Sequence, residues 1–253
     1  MKQVDYDGAI HRNYHAGRAL NAENARAWLA AFAGALPLDR PLNGLDLGSG
    51  TGRFTPLLAA EFGPVLGVEP AAGMRAVAVR ESAHPQARYV AGSATAIPAA
   101  GAAFDYGLLF LVWHHVADKA SAAAEIARVI RPGGTLLLRA QFSDHMPRLW
   151  WLRHFPGGPE LDASLYRPLA TEIETFAAAG FTAPDLRQVY EPARTTRAER
   201  LERLRHRSLS IFEHMSEEQL DTGFASLTRE VAADPDAVVP EIAGSLLVLT
   251  RAG

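Results

Sequence analysis

The sequence predicts an α/β fold built on a mainly parallel sheet with helices on both faces. Two observations carry this. From Pro41 to about Ala140, short apolar runs alternate with alanine-rich segments, and strand, helix, strand in strict succession requires crossover connections and so parallel neighbours. Runs such as GLLFLV and TLLLRA are apolar almost throughout, the pattern of strands buried on both faces.

The elements follow in order. Over residues 6–35, Tyr6, Ile10 and Tyr14, then Leu20, Trp28, Leu29 and Phe32, recur at helical spacing, and Gly34 and Pro37 stop the stretch, predicting two helices ahead of the core. GLDLG, PVLGVE, ARYVA, FDYGLLFLV and GTLLLRA read as five strands, with helices near 53–61, 71–83 and 119–130 between them. After Gln141 the rhythm breaks: SDHMPRLWWLRHFPGGP combines Trp150 and Trp151 with Pro147, Pro156 and Pro159, a loop or interrupted helix of lid-like composition. A helix over 167–179 ends at Gly180, a sixth strand lies near 186–191, residues 194–233 read as helical, and Gly244–Arg251 is a last strand. The predicted organisation is one domain over 1–253: a helical cap (1–40), a binding core (41–141), and a second half (142–253) with a lid (143–166) and a helical insertion (194–233).

A chain of 253 residues with 48% hydrophobic content can bury one large core. Its formal net charge of -3 exerts no general pull on polyanions, so neither DNA nor a membrane surface is an expected partner. The absence of cysteine excludes disulfides, thiolate metal sites and a cysteine nucleophile. MKQVDYDGAIHRNYH lacks the apolar core of a signal peptide, and no apolar run reaches a membrane span. The expectation is a soluble cytoplasmic protein, with a homodimer allowed for.

Residues 45–54, LDLGSGTGRF, place glycines at 48, 50 and 52 after the first strand. Glycine permits positive φ and close backbone approach, and a following helix N-terminus attracts anions. The dinucleotide fingerprint G-x-G-x-x-G is broken, because its sixth position is Arg53. A P-loop is excluded too, since no Gly-Lys-Ser/Thr follows. What remains is a ligand with an adenosine and no phosphate at the turn. Glu69, ending the second strand in LGVEP, is an acid placed to accept hydrogen bonds from both ribose hydroxyls.

In this order LDLGSGTGRF, LGVEPAAGM, FDYGLLFLVWHHVAD and RPGGTLLLRA resemble the successive motifs of the class I S-adenosylmethionine-dependent methyltransferases, over residues 41–141. The resemblance implies a Rossmann-like seven-stranded sheet of order 3-2-1-4-5-7-6 with strand 7 antiparallel. It implies S-adenosyl-L-methionine as cofactor, S-adenosyl-L-homocysteine as its product, and no metal. Gly48, Gly50 and Gly52 would line the methionine part, Asp46 would sit near the ammonium, and Glu69 would hold the ribose; Ser49, Pro70, Met74 and Phe110 complete the cofactor set. Where the family often has an acid to meet adenine, this chain has Ser93, so its hydroxyl and the Ala94 amide stand in. YHAGRAL resembles helices of small-molecule members that close over the cofactor, which makes Tyr14 and Arg18 carboxylate partners.

Methyl transfer from a sulfonium is an in-line displacement needing chiefly alignment, exclusion of water and sometimes a base. His114 and His115, after the fourth strand, are candidate bases; paired histidines here also occur in relatives of different chemistry. His145 and His154 are further candidates. The lack of an Asn/Asp-Pro-Pro-aromatic motif argues against amino methylation of DNA bases. RTTRAERLERLRHRS carries six arginines from Arg194 to Arg207, which could bind RNA or a phosphorylated molecule. Yet Glu199 and Glu202 punctuate the run, Glu199 stands four before Arg203, and Leu201, Leu204, Ser208 and Ile211 form a stripe, so an amphipathic helix with a solvated basic face is expected. Arginines facing the cleft would favour an anionic acceptor. Trp150, Trp151, His154, Phe155, Tyr166 and Phe212 read as an apolar acceptor pocket. The expected function is methylation of a small organic acceptor at O or N. An RNA or protein methyltransferase and a non-catalytic cofactor-binding module are the alternatives; a nicotinamide dehydrogenase is disfavoured by Arg53.

Overall fold

Seven strands, β1 (Gly44–Leu47), β2 (Val65–Val68), β3 (Ala87–Val90), β4 (Phe104–Phe110), β5 (Ile130–Arg139), β6 (Phe181–Tyr190) and β7 (Ala243–Arg251), pair in the order β3-β2-β1-β4-β5-β7-β6. The first five run parallel, and β7 is antiparallel to both of its neighbours. The structure is a computed structural model that describes residues 21–253 except positions 193, 208, 240 and 241. The first predicted helix, with Tyr6, Ile10, Tyr14 and Leu20, lies outside the described residues, as does Arg18.

Alternation along the central strands divides the core. Leu109, Leu136 and Leu138 face one layer with Ile126 of α4 (Lys119–Val129) and Phe176 of α6 (Leu169–Ala178). Tyr106, Leu108 and Leu137 face the other, with Trp28 and Phe32 of α1 (Ala22–Ala33) and Leu58 and Phe62 of α2 (Thr55–Phe62). Each such buried side chain contributes roughly 1.5–3 kcal/mol, so the run TLLLRA is held from both sides. α1 starts at Asn21, whose side chain accepts from the Glu23 amide, and its Trp28 and Phe32 stack four residues apart. The remaining helices are α3 (Ala72–Glu81), α5 (Gly158–Ser164), α7 (Arg197–Arg205) and α8 (Glu217–Ala233).

One expectation needs correction and another gains detail. The sixth strand begins at Phe181 and not near 186, because β6 is an edge strand where Pro184 is tolerated, and a register shift between Thr182 and Asp185, with Ala183 at φ 50°, absorbs it. The stretch expected to be helical over 194–233 is made of two helices joined by a 3₁₀ turn over Ser210–His214. Arg207 is left-handed at φ 47° after the end of α7. Separate capping boxes, Thr196 with Glu199 and Ser216 with Gln219, start the two helices. Among the described residues no helix is long and apolar enough to cross a membrane, and no group of three His, Asp or Glu side chains is placed to hold a metal ion.

Candidate active site

After β1 the chain lays β2 and β3 to one side, then returns to pair β4 on the other. The carboxyl ends of β1 and β4 therefore part, and an open α/β sheet binds its ligands in the crevice above that switch point. The glycine turn enters there, with φ of 74° at Gly48, 57° at Gly50 and 78° at Gly52. The three glycines have different tasks. A Cβ on Gly48 would lie 2.5 Å from Val112, and one on Gly52 would lie 2.5 Å from the Tyr89 hydroxyl. These two are bare because protein packs against them, and Gly52 takes the close-packing task that Arg53 cannot. A Cβ on Gly50 would meet only Met74, at 3.5 Å, so its bareness leaves room at the crevice. Beside it the Ser49 hydroxyl is buried without a hydrogen-bond partner among the described residues, an orphan that a bound ligand would satisfy.

The two acids named from the sequence are both buried beneath the turn. Glu69 accepts from the Gly50 amide at 2.9 Å and the Ala71 amide at 2.9 Å, so one carboxylate ties the turn to the start of α3. Pro70 follows it in an exposed position, and Arg75 donates back to the Glu69 carbonyl at 2.8 Å. Asp46 accepts from the Thr55 hydroxyl at 2.7 Å. Burial pushes its carboxyl up to about 6, against the pull of the Thr55 hydrogen bond and the Arg53 charge. A carboxylate kept ionised at such a cost is ready to receive a cation. Ser93 and Ala94 are half-buried, and the Ser93 hydroxyl lies 3.2 Å from that of Thr95.

At the end of β4 the chain bends sharply. Leu111 is left-handed at φ 57°, a conformation that costs a non-glycine residue roughly 1–2 kcal/mol. It turns the chain into the 3₁₀ segment Trp113–His115 and brings Val112 onto Gly48. Trp113 anchors the segment: its indole donates to the buried Glu172 at 2.8 Å, and Lys119 donates to its carbonyl. His114 is half-buried, its ring 5.3 Å from that of Tyr166, whereas His115 is exposed. His114 is thus the better placed of the two. Phe110 is drawn into an aromatic group, 4.3 Å from Phe54 and 5.0 Å from Trp28, with the Arg53 guanidinium 5.2 Å above it.

The acceptor-pocket reading of the lid aromatics is corrected. Trp150, Trp151, Phe155 and Phe212 are between 1% and 9% exposed and form a third core with Leu201, Leu204, Leu220 and Leu227. They hold the lid to the insertion by burying the apolar faces of the two segments against each other. His154 belongs to the same seam, with Nδ1 3.0 Å from the Ser226 hydroxyl and Nε2 2.9 Å from Glu230. His145 sits on the surface beside Asp144. Of the six, Tyr166 alone is placed by its contacts at the β4 turn. The expected Glu199–Arg203 pair is replaced: Glu199 accepts from the Thr196 amide at 3.0 Å, while Arg205 pairs with Glu202 and Arg207 with Glu217.

Sequence reading passed over Thr55, Arg139 and Glu191. Arg139 closes β5, is 9% exposed, and lies 5.2 Å over the Trp28 ring. Burial lowers its guanidinium to about 10, against the opposing charges of Glu191 and Tyr166. An arginine ending an otherwise apolar strand was the available signal.

A seven-stranded sheet of this order, with a glycine turn and a strand-end acid at its switch point, is the fold of class I S-adenosylmethionine-dependent methyltransferases. Residues 45–138 match the family model described as a methyltransferase domain. An uncharacterized methyltransferase of Mycobacterium tuberculosis is 40% identical over 109 residues, 43% of each chain. A demethylmenaquinone methyltransferase of Mycolicibacterium vanbaalenii is 31% identical over 145 residues, 57% of this chain and 61% of that one. The chain thus spans less than two thirds of the length of either relative. A candidate methyltransferase from an antibiotic biosynthesis pathway of Anabaena variabilis has the same fold, with a TM-score of 0.72 over 93% of this chain and 99% of that one at 23% identity. Residues 45–138 are thus a methyltransferase domain by sequence, set in a fold that the chain shares with class I S-adenosylmethionine-dependent methyltransferases.

Proposed function

We propose that the chain transfers a methyl group from S-adenosylmethionine to a small organic acceptor, at oxygen or nitrogen, by in-line displacement. The observation that carries this is Glu69, a buried carboxylate fixed by the Gly50 and Ala71 amides beside a glycine with open space above it. A carboxylate so fixed suits a pair of ribose hydroxyls, and Gly50 leaves room for a sulfonium chain at a turn that has no Gly-Lys-Ser/Thr to hold a phosphate. S-adenosylmethionine, when bound, supplies a methyl group already activated by its positive sulfur. The protein's share is binding, orientation and the proton. Asp46 meets the ammonium, Ser49 satisfies its hydroxyl on the ligand, Ser93 and Ala94 take the adenine edge, and Tyr14 and Arg18 take the carboxylate. His114 receives the proton that the acceptor gives up, with Tyr166 holding its ring.

Use of the arginine helix for RNA is less well supported, since Arg197, Arg205 and Arg207 already face Glu230, Glu202 and Glu217. The test is isothermal titration: S-adenosylhomocysteine should bind, NAD should not, and Glu69→Ala should cost about 10- to 100-fold in affinity, the loss expected for hydrogen bonds to a charged group. Binding of NAD alone would end the reading.

A further inference from the structure

Arg139 and Arg200 carry charges that no described residue meets with an ion pair. Arg139 lies at the carboxyl edge of the sheet, in register with Phe110 of β4 and Leu246 of β7. A guanidinium has five N–H donors, and Arg139 makes one hydrogen bond among the described residues, from Nη1 to the Ala140 carbonyl at 2.8 Å. Its Nε is buried without a partner. Arg200, on α7, makes no side-chain hydrogen bond or ion pair among the described residues, and its Nε is buried without a partner as well. Both arginines feel the charge of Glu191. That carboxylate is engaged elsewhere, by Asn24 at 3.0 Å and the Trp28 indole at 3.0 Å, and forms no ion pair with either guanidinium. Two largely buried cations therefore share one carboxylate, and a third cation, Arg53, lies close enough to weaken Arg139 further.

An uncompensated buried charge is expensive, and a fold keeps one where a ligand supplies the counter-charge. Guanidinium suits oxyanions, which it binds through two parallel N–H donors. Arg139 lies 5.2 Å over the Trp28 ring and feels the Tyr166 hydroxyl, whose ring reaches His114.

We propose that the acceptor is an acid, whose carboxylate or phosphate group is held by Arg139 at the end of β5 with Arg200 assisting from α7. This rests on the methyltransferase reading above and narrows its acceptor class to anionic small molecules. Tyr166, which is only half-buried, would lie against the acceptor's apolar body, and His114 would face its methyl-accepting atom.

The test uses the full chain saturated with S-adenosylhomocysteine and titrated with matched probes: 4-hydroxybenzoate against 4-hydroxybenzamide, and phenyl phosphate against phenol, within a wider panel of such pairs. The anionic members should bind about 10- to 100-fold more tightly, as charge-assisted hydrogen bonds predict; the arm that binds identifies the oxyanion. Arg139→Met and Arg200→Met should abolish the preference, and Arg139→Lys should keep part of it. Glu191→Gln, which removes the competing negative charge, should strengthen acid binding and serves if Arg139→Met does not fold. Acids binding no better than their neutral partners, or not at all, would overturn the proposal. So would Arg139→Met weakening S-adenosylhomocysteine while the acid preference stays, since Arg139 would then hold the cofactor's own carboxylate. Loss of the methyltransferase reading would show separately, as failure of the wild-type chain to bind S-adenosylhomocysteine.

Discussion

Asp46→Asn removes a buried charge that the fold holds at a cost, and the cost can be worked out. Burial moves this carboxyl from 3.8 to about 6. Two units correspond to about 3 kcal/mol at neutral pH. The sign follows from proton binding: the folded state holds the proton more tightly than the unfolded chain, so the contribution is fully present below pH ~4 and is lost as pH rises through ~6. About 2 kcal/mol of it falls between pH 4.5 and 7.5. Asparagine does not titrate, and any penalty for its amide is the same at every pH. Urea unfolding of both proteins across that range should therefore show wild type losing about 2 kcal/mol relative to Asp46→Asn, or about 4–8 °C in thermal midpoint. If the ligand's ammonium meets this carboxylate, binding returns it to an ordinary value and expels its proton. At pH 6, S-adenosylhomocysteine should then release about half a proton, measured by titration in buffers of different ionisation enthalpy. No release should occur above pH ~7.5 or in Asp46→Asn. Parallel pH profiles for the two proteins, or binding with no proton released at pH 6, would refute the reasoning.

The other predictions separate packing from binding. Gly48→Ala should destabilise the fold by about 2–4 kcal/mol, from a left-handed alanine and a clash with Val112, measured by denaturant unfolding. Gly50→Ala should cost only about 1–2 kcal/mol, the strain of its φ, yet reduce S-adenosylhomocysteine affinity more than Gly48→Ala does. Equal affinity of Gly50→Ala and wild type would remove Gly50 from the site. Glu172→Ala leaves the Trp113 indole without its acceptor, so it should lower stability by about 1–3 kcal/mol and alter tryptophan fluorescence. It should also slow methyl transfer to the acceptor more than it weakens the cofactor, because it loosens the turn that carries His114.

Much of the cofactor half was legible because its signals are local. Gly48, Gly50 and Gly52 adopt positive φ in a turn between adjacent elements, and Asp46 lies within and Glu69 just after short strands whose apolar runs show in the letters. The relative importance of the glycines was not legible, since Val112 and Tyr89 press on Gly48 and Gly52 from 64 and 37 positions away. The lid was misread for a related reason. Trp151, Phe155 and Phe212 look alike whether they line a pocket or fill a core, and the partners that decide it, Leu220 and Leu227, come from a helix far along the chain.

From its letters alone, the chain determined the mainly parallel sheet with helices on both faces and the glycine turn at its switch point, because periodicity and glycine spacing report backbone geometry directly. Tertiary structure alone decided which aromatics are core, that His114 rather than His115 faces Tyr166, and that Arg139 and Arg200 stand near one already occupied carboxylate. Those facts depend on which distant side chains share a space and on how far burial strips them of water, and neither is written in the order of residues.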